Sequence, residues 1–235
     1  MEINKITSKL IYNNKIIQKN FEFRLTKQIG NLIEIGKINI KKDYFEANNF
    51  NPQYKDKIKI LMSINNEKEH EIFDGIILNC IKSKTEYIIN AEDEISFKLS
   101  ELANTKSYIN TTANSILNEI CDYLDFDPKL NILLSKFIVL DIKKRFVILT
   151  LLKTIERIKK NEVYYYIENK KLNIKSKLEG KIYKIDDFII NSNENKINIF
   201  PLPELNLEDK ISYKNKEYSI KTITMTNRKF IIEVI

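Results

Sequence analysis

"IFDGIILNCIKSKTEYIINAEDEISFKLSELANTKSYINTTANSILNEICDYLDF", residues 72–126, decides how the rest of the chain is read. Its first part alternates: Ile76, Leu78 and Cys80 against Ile77, Asn79 and Ile81, then Tyr87, Ile89 and Ala91 against Ile88 and Asn90. Successive side chains of a strand point to opposite faces, so this period of two predicts a β-hairpin. The polar KSKTE at 82–86 supplies its turn. The period then changes. Ile116, Leu117, Ile120, Cys121 and Leu124 fall on one helical face behind Thr111 and Thr112, either of which suits an N-cap.

Working upstream, Phe21, Phe23 and Leu25 alternate with Glu22, Arg24 and Thr26, the pattern of a strand with one buried face. Ile11 and Tyr12 lead into Asn13-Asn14-Lys15, a turn signal. Ile33, Ile35, Ile38 and Ile40 change phase at Gly36, which predicts a bulge or bend. Residues 41–56, with Pro52 and three asparagines, read as a loop. Ile58, Ile60, Met62 and Ile64 alternate again, and 65–70 is a polar turn. Strands this short, joined by polar turns, predict a small antiparallel barrel or sandwich over 1–95.

Downstream, Phe97, Leu99 and Leu102 suit a short helix or turn, followed by the helix at 112–124, which Pro128 closes off. FIVLDI at 137–142 reads as a strand. Ile148, Leu151, Leu152, Ile155 and Ile158 form a helical stripe, with Arg157, Lys159 and Lys160 at the end where cations suit the dipole. Residues 96–160 are thus expected to form a mixed α/β unit. From 161 to 235 the pattern returns to β: a hairpin through Tyr164-Tyr165-Tyr166 with a turn near Asn169, a KNKE turn at 214–217, and clean alternation at Phe230, Ile232 and Val234. The expected fold class is α+β, mostly β: two small antiparallel β-barrels (1–95 and 161–235) with the mixed unit between them.

Length and composition bound the function. A chain of 235 residues makes one large domain or two small ones, and 43% hydrophobic with 30% charged residues is a globular balance. No apolar run approaches the roughly 20 residues of a membrane helix. The start, MEINKITSKL, lacks a signal-peptide core, so an intracellular origin is expected. The net charge of +7 comes from lysines in scattered pairs (Lys41-Lys42, Lys143-Lys144, Lys159-Lys160), with no basic block, and is read as solvated surface. Lys, Asn and Ile dominate while Gly and Pro number four each, a bias that an AT-rich genome imposes on any protein.

Candidate chemistry is sparse. Cys80 and Cys121 lie on apolar faces and are expected to be free, buried thiols. His70 is the one histidine and sits in a polar turn, too few ligands for a metal. The carboxylate clusters Glu92-Asp93-Glu94, Asp125 with Asp127, and Asp186-Asp187 suit turns and caps. Asp93 in particular is placed to fix the strand-to-helix turn by bonding backbone N–H groups. Neither a nucleophile elbow, nor a zinc-binding helix, nor a phosphate loop is present. No catalytic, cofactor or metal residue is therefore expected, and no enzyme. Tyr164–Tyr166 reads as core packing, with a stacking platform for single strands as the alternative.

The stretch around 70–175 resembles the hub proteins of phage tails, the late control gene D group and its relatives in contractile injection particles. The residues that carry the resemblance are Phe73 and Gly75 entering a long hairpin, Asp93 closing its second strand, Leu99, then Tyr108, Asn110 and Thr111 stepping into Ile116, Leu117 and Ile120. Arg145, Leu152, the tyrosine run and Leu172-Asn173-Ile174 continue the order. A Pro203, Leu205, Glu208, Asp209 step follows, lacking the glycine that the family places before the aspartate. The resemblance implies a structural protein of a virion tail or baseplate, made in the bacterial cytoplasm. It implies a homotrimeric, pseudo-sixfold ring joining the tail tube protein to the spike protein, with no turnover. The alternative is a β-barrel binding module for nucleic acid or carbohydrate. A tail-borne cell-wall hydrolase is third, and the chain offers it no residues.

Overall fold

Alternating residues form strands throughout the computed structural model, which describes residues 5–31, 34–101, 105–111, 115, 137–143, 164–168, 171–175, 177–193 and 195–235. The chain divides into two compact units. One holds 1–28, 33–94 and 179–235, the other 29–32 and 95–178.

The first unit is one sheet of thirteen strands. From the N-terminal part come β1 (Ile6–Tyr12), β2 (Lys15–Ile17), β3 (Phe21–Gln28), β4 (Ile35–Lys41), β5 (Lys57–Ile64), β6 (His70–Lys82) and β7 (Glu86–Asp93). From the C-terminal part come β12 (Ile182–Lys184), β13 (Ile189–Ser192), β14 (Lys196–Ile199), β15 (Lys210–Tyr213), β16 (Lys216–Thr226) and β17 (Phe230–Val234). Their order is β13-β14-β17-β16-β3-β4-β7-β6-β5-β1-β2, with β15 beside β16 and β12 beside β15. Neighbours are antiparallel except β12 and β15.

Here the structure departs from the expected pair of barrels. The path is open, and no closed barrel forms among the described residues. The segments expected as separate N- and C-terminal domains are joined by a ladder in which Thr222–Thr226 of β16 pair with Gln28–Arg24 of β3. Long-range pairing of this kind leaves no local signature, because each strand alternates identically whichever partner it takes. The hairpin at Tyr164 belongs to the other unit.

One packing feature explains two of the four glycines. Phe73 on β6 is buried, and an added Cβ on Gly75 would stand 2.4 Å from its ring and 2.7 Å from the Glu92 carbonyl oxygen. A Cβ on Gly36 would stand 2.9 Å from the same ring. The phase change at Gly36 is therefore not a bulge: the β3–β4 and β4–β7 registers run through it unbroken. Gly36 is bare because the Phe73 ring presses on it. The bulges lie on β6 instead, at Ile72 against β5 and at Leu78 against β7. They interrupt the strict alternation read there, and between them Ile76 and Ile77 are both buried.

Two of the hairpin turns are made without glycine. Asn13 (φ 46°) and Asn14 (φ 62°) close β1 onto β2, and Lys214 (φ 50°) and Asn215 (φ 60°) close β15 onto β16. Left-handed φ at both central residues is what a two-residue hairpin demands, and asparagine tolerates it better than other residues with a Cβ.

A short helix α1 (Lys42–Ala47) occupies the expected loop at 41–56. Its Phe45 ring stacks on Tyr87 at 3.8 Å between centroids and meets Phe50 edge-on at 5.6 Å. Six residues are too few to show a helical period, so only tertiary packing makes this helix.

The second unit contains most of α2 (Glu94–Glu101), the expected short helix after Asp93, the antiparallel pair β8 (Thr105–Thr111) with β9 (Phe137–Lys143), and the hairpin β10 (Tyr164–Glu168) with β11 (Lys171–Lys175). β9 matches the strand expected at 137–142, while β8 was not legible. Of the helix expected at 112–124 only Ser115 is described, and it is helical; the helix expected at 148–158 lies outside the described residues, as do Cys121, Asp125 and Asp127.

Candidate interaction surfaces

The residues singled out for chemistry do not converge. His70 opens β6 opposite Met62, and Cys80 is a half-buried free thiol whose pKa burial pushes up. Asp186 accepts a hydrogen bond from the Lys214 backbone N–H at 3.1 Å, a turn role. Asp93 is buried where β7 ends and α2 begins, and its own N–H donates to the Glu34 carbonyl at 3.1 Å. Among the described residues, no three His, Cys, Asp or Glu side chains group as a metal would require. The tyrosine run offers no platform: Tyr165 and Tyr166 are both buried, one on each face of β10, and only Tyr164 is partly open.

Asp209 is the polar residue that sequence reasoning undervalued. It is 3% exposed. Its Oδ1 accepts from the Lys181 N–H at 2.8 Å and its Oδ2 from the Asn206 N–H at 2.8 Å. The carboxylate thus ties the approach to β12 to the loop before β15. Burial raises its pKa, and the two backbone donors pull the other way. Gly180 is bare for its sake, since a Cβ there would stand 2.5 Å from Asp209 Oδ1.

The sheet's free edges carry exposed apolar side chains. Ile16 on β2 is 58% exposed, Ile190 on β13 44% and Ile182 on β12 52%. These strands each have one neighbour in the sheet. An unpaired strand edge with an isoleucine beside it is a surface that favours pairing with another chain.

A second kind of surface lies at the joint between the two halves of the sheet. A groove of about 430 Å³ is lined by residues of β3, among them Phe23, of β4 and of the β16–β17 turn. The Phe23 N–H, which the ladder leaves unpaired, donates to Asn227 Oδ1 at 2.8 Å and clamps the turn to β3. Three cations line it, Arg24, Lys37 and Arg228, against one carboxylate, Glu22. A hollow of about 490 Å³ is less one-sided, with Lys41, Lys42 and Lys84 beside Asp43 and Glu86.

With this architecture in view, the chain compares with solved structures along its whole length. It is similar to the 43 kDa tail protein of prophage MuSo2 from Shewanella oneidensis, with a TM-score of 0.70 and 10% identity over 97% of both chains. It is similar to a tail protein of Neisseria meningitidis, with a TM-score of 0.67 and 8% identity over 97% of this chain and 96% of that one. A third is an E. coli component of the type VI secretion system, described as structurally similar to the T4 tail proteins gp27 and gp5, with a TM-score of 0.64 and 13% identity over 97% of this chain and 76% of that one. No family model and no curated protein matches the sequence. The fold is that of phage tail proteins. Among the described residues, no helix is long and apolar enough to cross a membrane.

Proposed function

We propose that this chain is a structural hub or tail-tip protein of a phage or phage-derived particle. It forms a trimeric ring between the tail tube and the spike and works by assembly and force transmission rather than turnover. The observation that carries the proposal is the likeness to two tail proteins over nearly the full length of all three chains. The edges of the sheet support it. β2, β12 and β13 present unpaired backbone groups next to Ile16, Ile182 and Ile190, and a closed ring of copies satisfies such edges without leaving a growing fibre.

Light scattering across protein concentration, alone and with the spike and tube proteins, tests this. The expected species has about three times the mass of a 27.8 kDa chain, and Ile190→Lys with Ile182→Lys reduces it to monomer without loss of secondary structure. A monomer at every concentration, with and without both partner proteins, overturns the proposal.

A further inference from the structure

We propose that the groove between β3, β4 and the β16–β17 turn docks an extended acidic peptide segment of a partner protein. The first observation is electrostatic. Arg24 of β3 and Lys37 of β4 are directly opposed in the ladder. Both are exposed, and neither side chain has a hydrogen-bond or ion-pair partner. Like charges directly opposed on neighbouring strands are unfavourable. Some exposed lysines of this sheet have carboxylates, as Lys196 lies 2.7 Å from Glu233 and Lys82 2.9 Å from Glu46, and others such as Lys216 have none, but Arg24 and Lys37 are unpaired side by side. Arg228 adds a third cation from the turn. Its single partner is Glu22 at 3.5 Å, in a pair exposed at both ends and so weakly held.

The second observation is independent of charge. Asn39 lines the same groove, and its Oδ1 is buried with no hydrogen-bond partner while its Nδ2 donates to Glu86 Oε1 at 3.2 Å. A buried acceptor without a donor is costly and is a feature that a ligand relieves. The ligand this groove fits brings anionic oxygens for Arg24, Lys37 and Arg228 and an N–H for Asn39. A peptide with Asp or Glu at alternate positions does both, since alternate side chains of an extended chain share one face and its backbone supplies the N–H.

A nucleic-acid strand fits less well. Its phosphodiesters carry no donor for Asn39, and the Phe23 ring is buried and closed to stacking. The docking site does not depend on whether the chain forms rings.

Fluorescence anisotropy with a labelled peptide of alternating Glu and Thr tests the inference on the full chain at low salt. Binding that weakens with salt is expected, with at least a tenfold loss in Arg24→Ser/Lys37→Ser. The control Lys19→Ser/Lys216→Ser removes the same charge from exposed sites elsewhere and leaves affinity within twofold. N-methylation of the peptide backbone weakens binding to the parent chain. Equal losses in both double variants, or no binding at all, overturn the proposal. So does a single-stranded oligonucleotide that binds more tightly than the peptide and is released by Arg24→Ser/Lys37→Ser.

Discussion

At the Phe73 corner of the sheet a ring is seated on two glycines, and at the Asp209 corner a carboxylate is seated against one. Both corners bring backbones too close for a Cβ, but different forces hold them. Phe73 is held by shape: an aromatic ring fills the hollow that Gly36 and Gly75 leave, with Leu25 beside it. Asp209 is held by two backbone donors at 2.8 Å each. A shape-held corner responds to volume and is indifferent to pH. A corner held by a buried acid responds to both the loss of an acceptor and to its state of ionisation.

The largest expected effect follows from emptying the first corner. Phe73→Ala removes the ring and leaves a cavity over two glycines that cannot fill it, for a loss of about 3–5 kcal/mol in urea unfolding. Gly75→Ala overpacks the same place, at about 1–3 kcal/mol. The two substitutions together sharpen the point. Removing the ring relieves one clash of the new methyl group, but the Glu92 carbonyl at 2.7 Å is backbone and does not give way. Gly75→Ala should therefore remain destabilising in the Phe73→Ala chain. If the double variant is as stable as Phe73→Ala alone, the ring was the whole reason for the glycine.

At the second corner, Asp209→Asn keeps one acceptor and turns a donor toward the other backbone N–H, at a cost of about 1–3 kcal/mol. Its pH dependence has a definite sign. Asp209 is raised above the ordinary carboxylate value, mainly by burial. The folded chain thus holds the proton to a higher pH than the unfolded chain does. The stability this gives is full below the unfolded value and is lost as pH rises through the folded one. The cost of Asp209→Asn should shrink between acid and neutral pH, measured as the difference between two unfolding curves at each pH. A cost that grows instead would mean that the Lys181 and Asn206 donors outweigh burial.

The two corners were unequally legible in the sequence. Phe73 and Gly75 stand two residues apart on one strand, so a pattern of neighbours records their contact. Gly36 touches the same ring from 37 residues away, and its phase change read as a bulge. Gly180 and Asp209 meet just ahead of β12 and β15, far apart in sequence, and nothing in either neighbourhood announces it. The same division runs through the whole fold. The strands β3, β5, β7, β9 and β17 were readable because alternation is local, and the Asn13-Asn14 and Lys214-Asn215 turns because their φ requirement is local. The β3–β16 ladder was not, nor was α1, whose Phe45 is positioned by Tyr87 on a distant strand. The basic groove shares this fate, since Arg24 and Lys37 are ordinary exposed residues of two separate alternations until register sets them side by side.

The turns complete the comparison from the opposite side, because they adopt glycine's conformation without glycine. At Asn14 (φ 62°) the constraint is the chain's own dihedral angle and not a neighbour's atoms. Asn14→Val places a branched Cβ in the left-handed region and should cost about 1–2 kcal/mol. Asn14→Gly relaxes that dihedral but gives the unfolded chain more freedom to lose, two effects that nearly cancel to within about 0.5 kcal/mol. The pair separates the two uses of glycine in this chain. Where a Cβ would strike a ring or a carbonyl, glycine has no substitute; where only φ is at stake, the chain uses asparagine at Asn14 and glycine at Gly30 (φ 82°), where an added Cβ would meet nothing within 4 Å. Thermal unfolding of Asn14→Gly beside Gly75→Ala reads both, and a large gain from Asn14→Gly would show that the asparagine turns hold real strain.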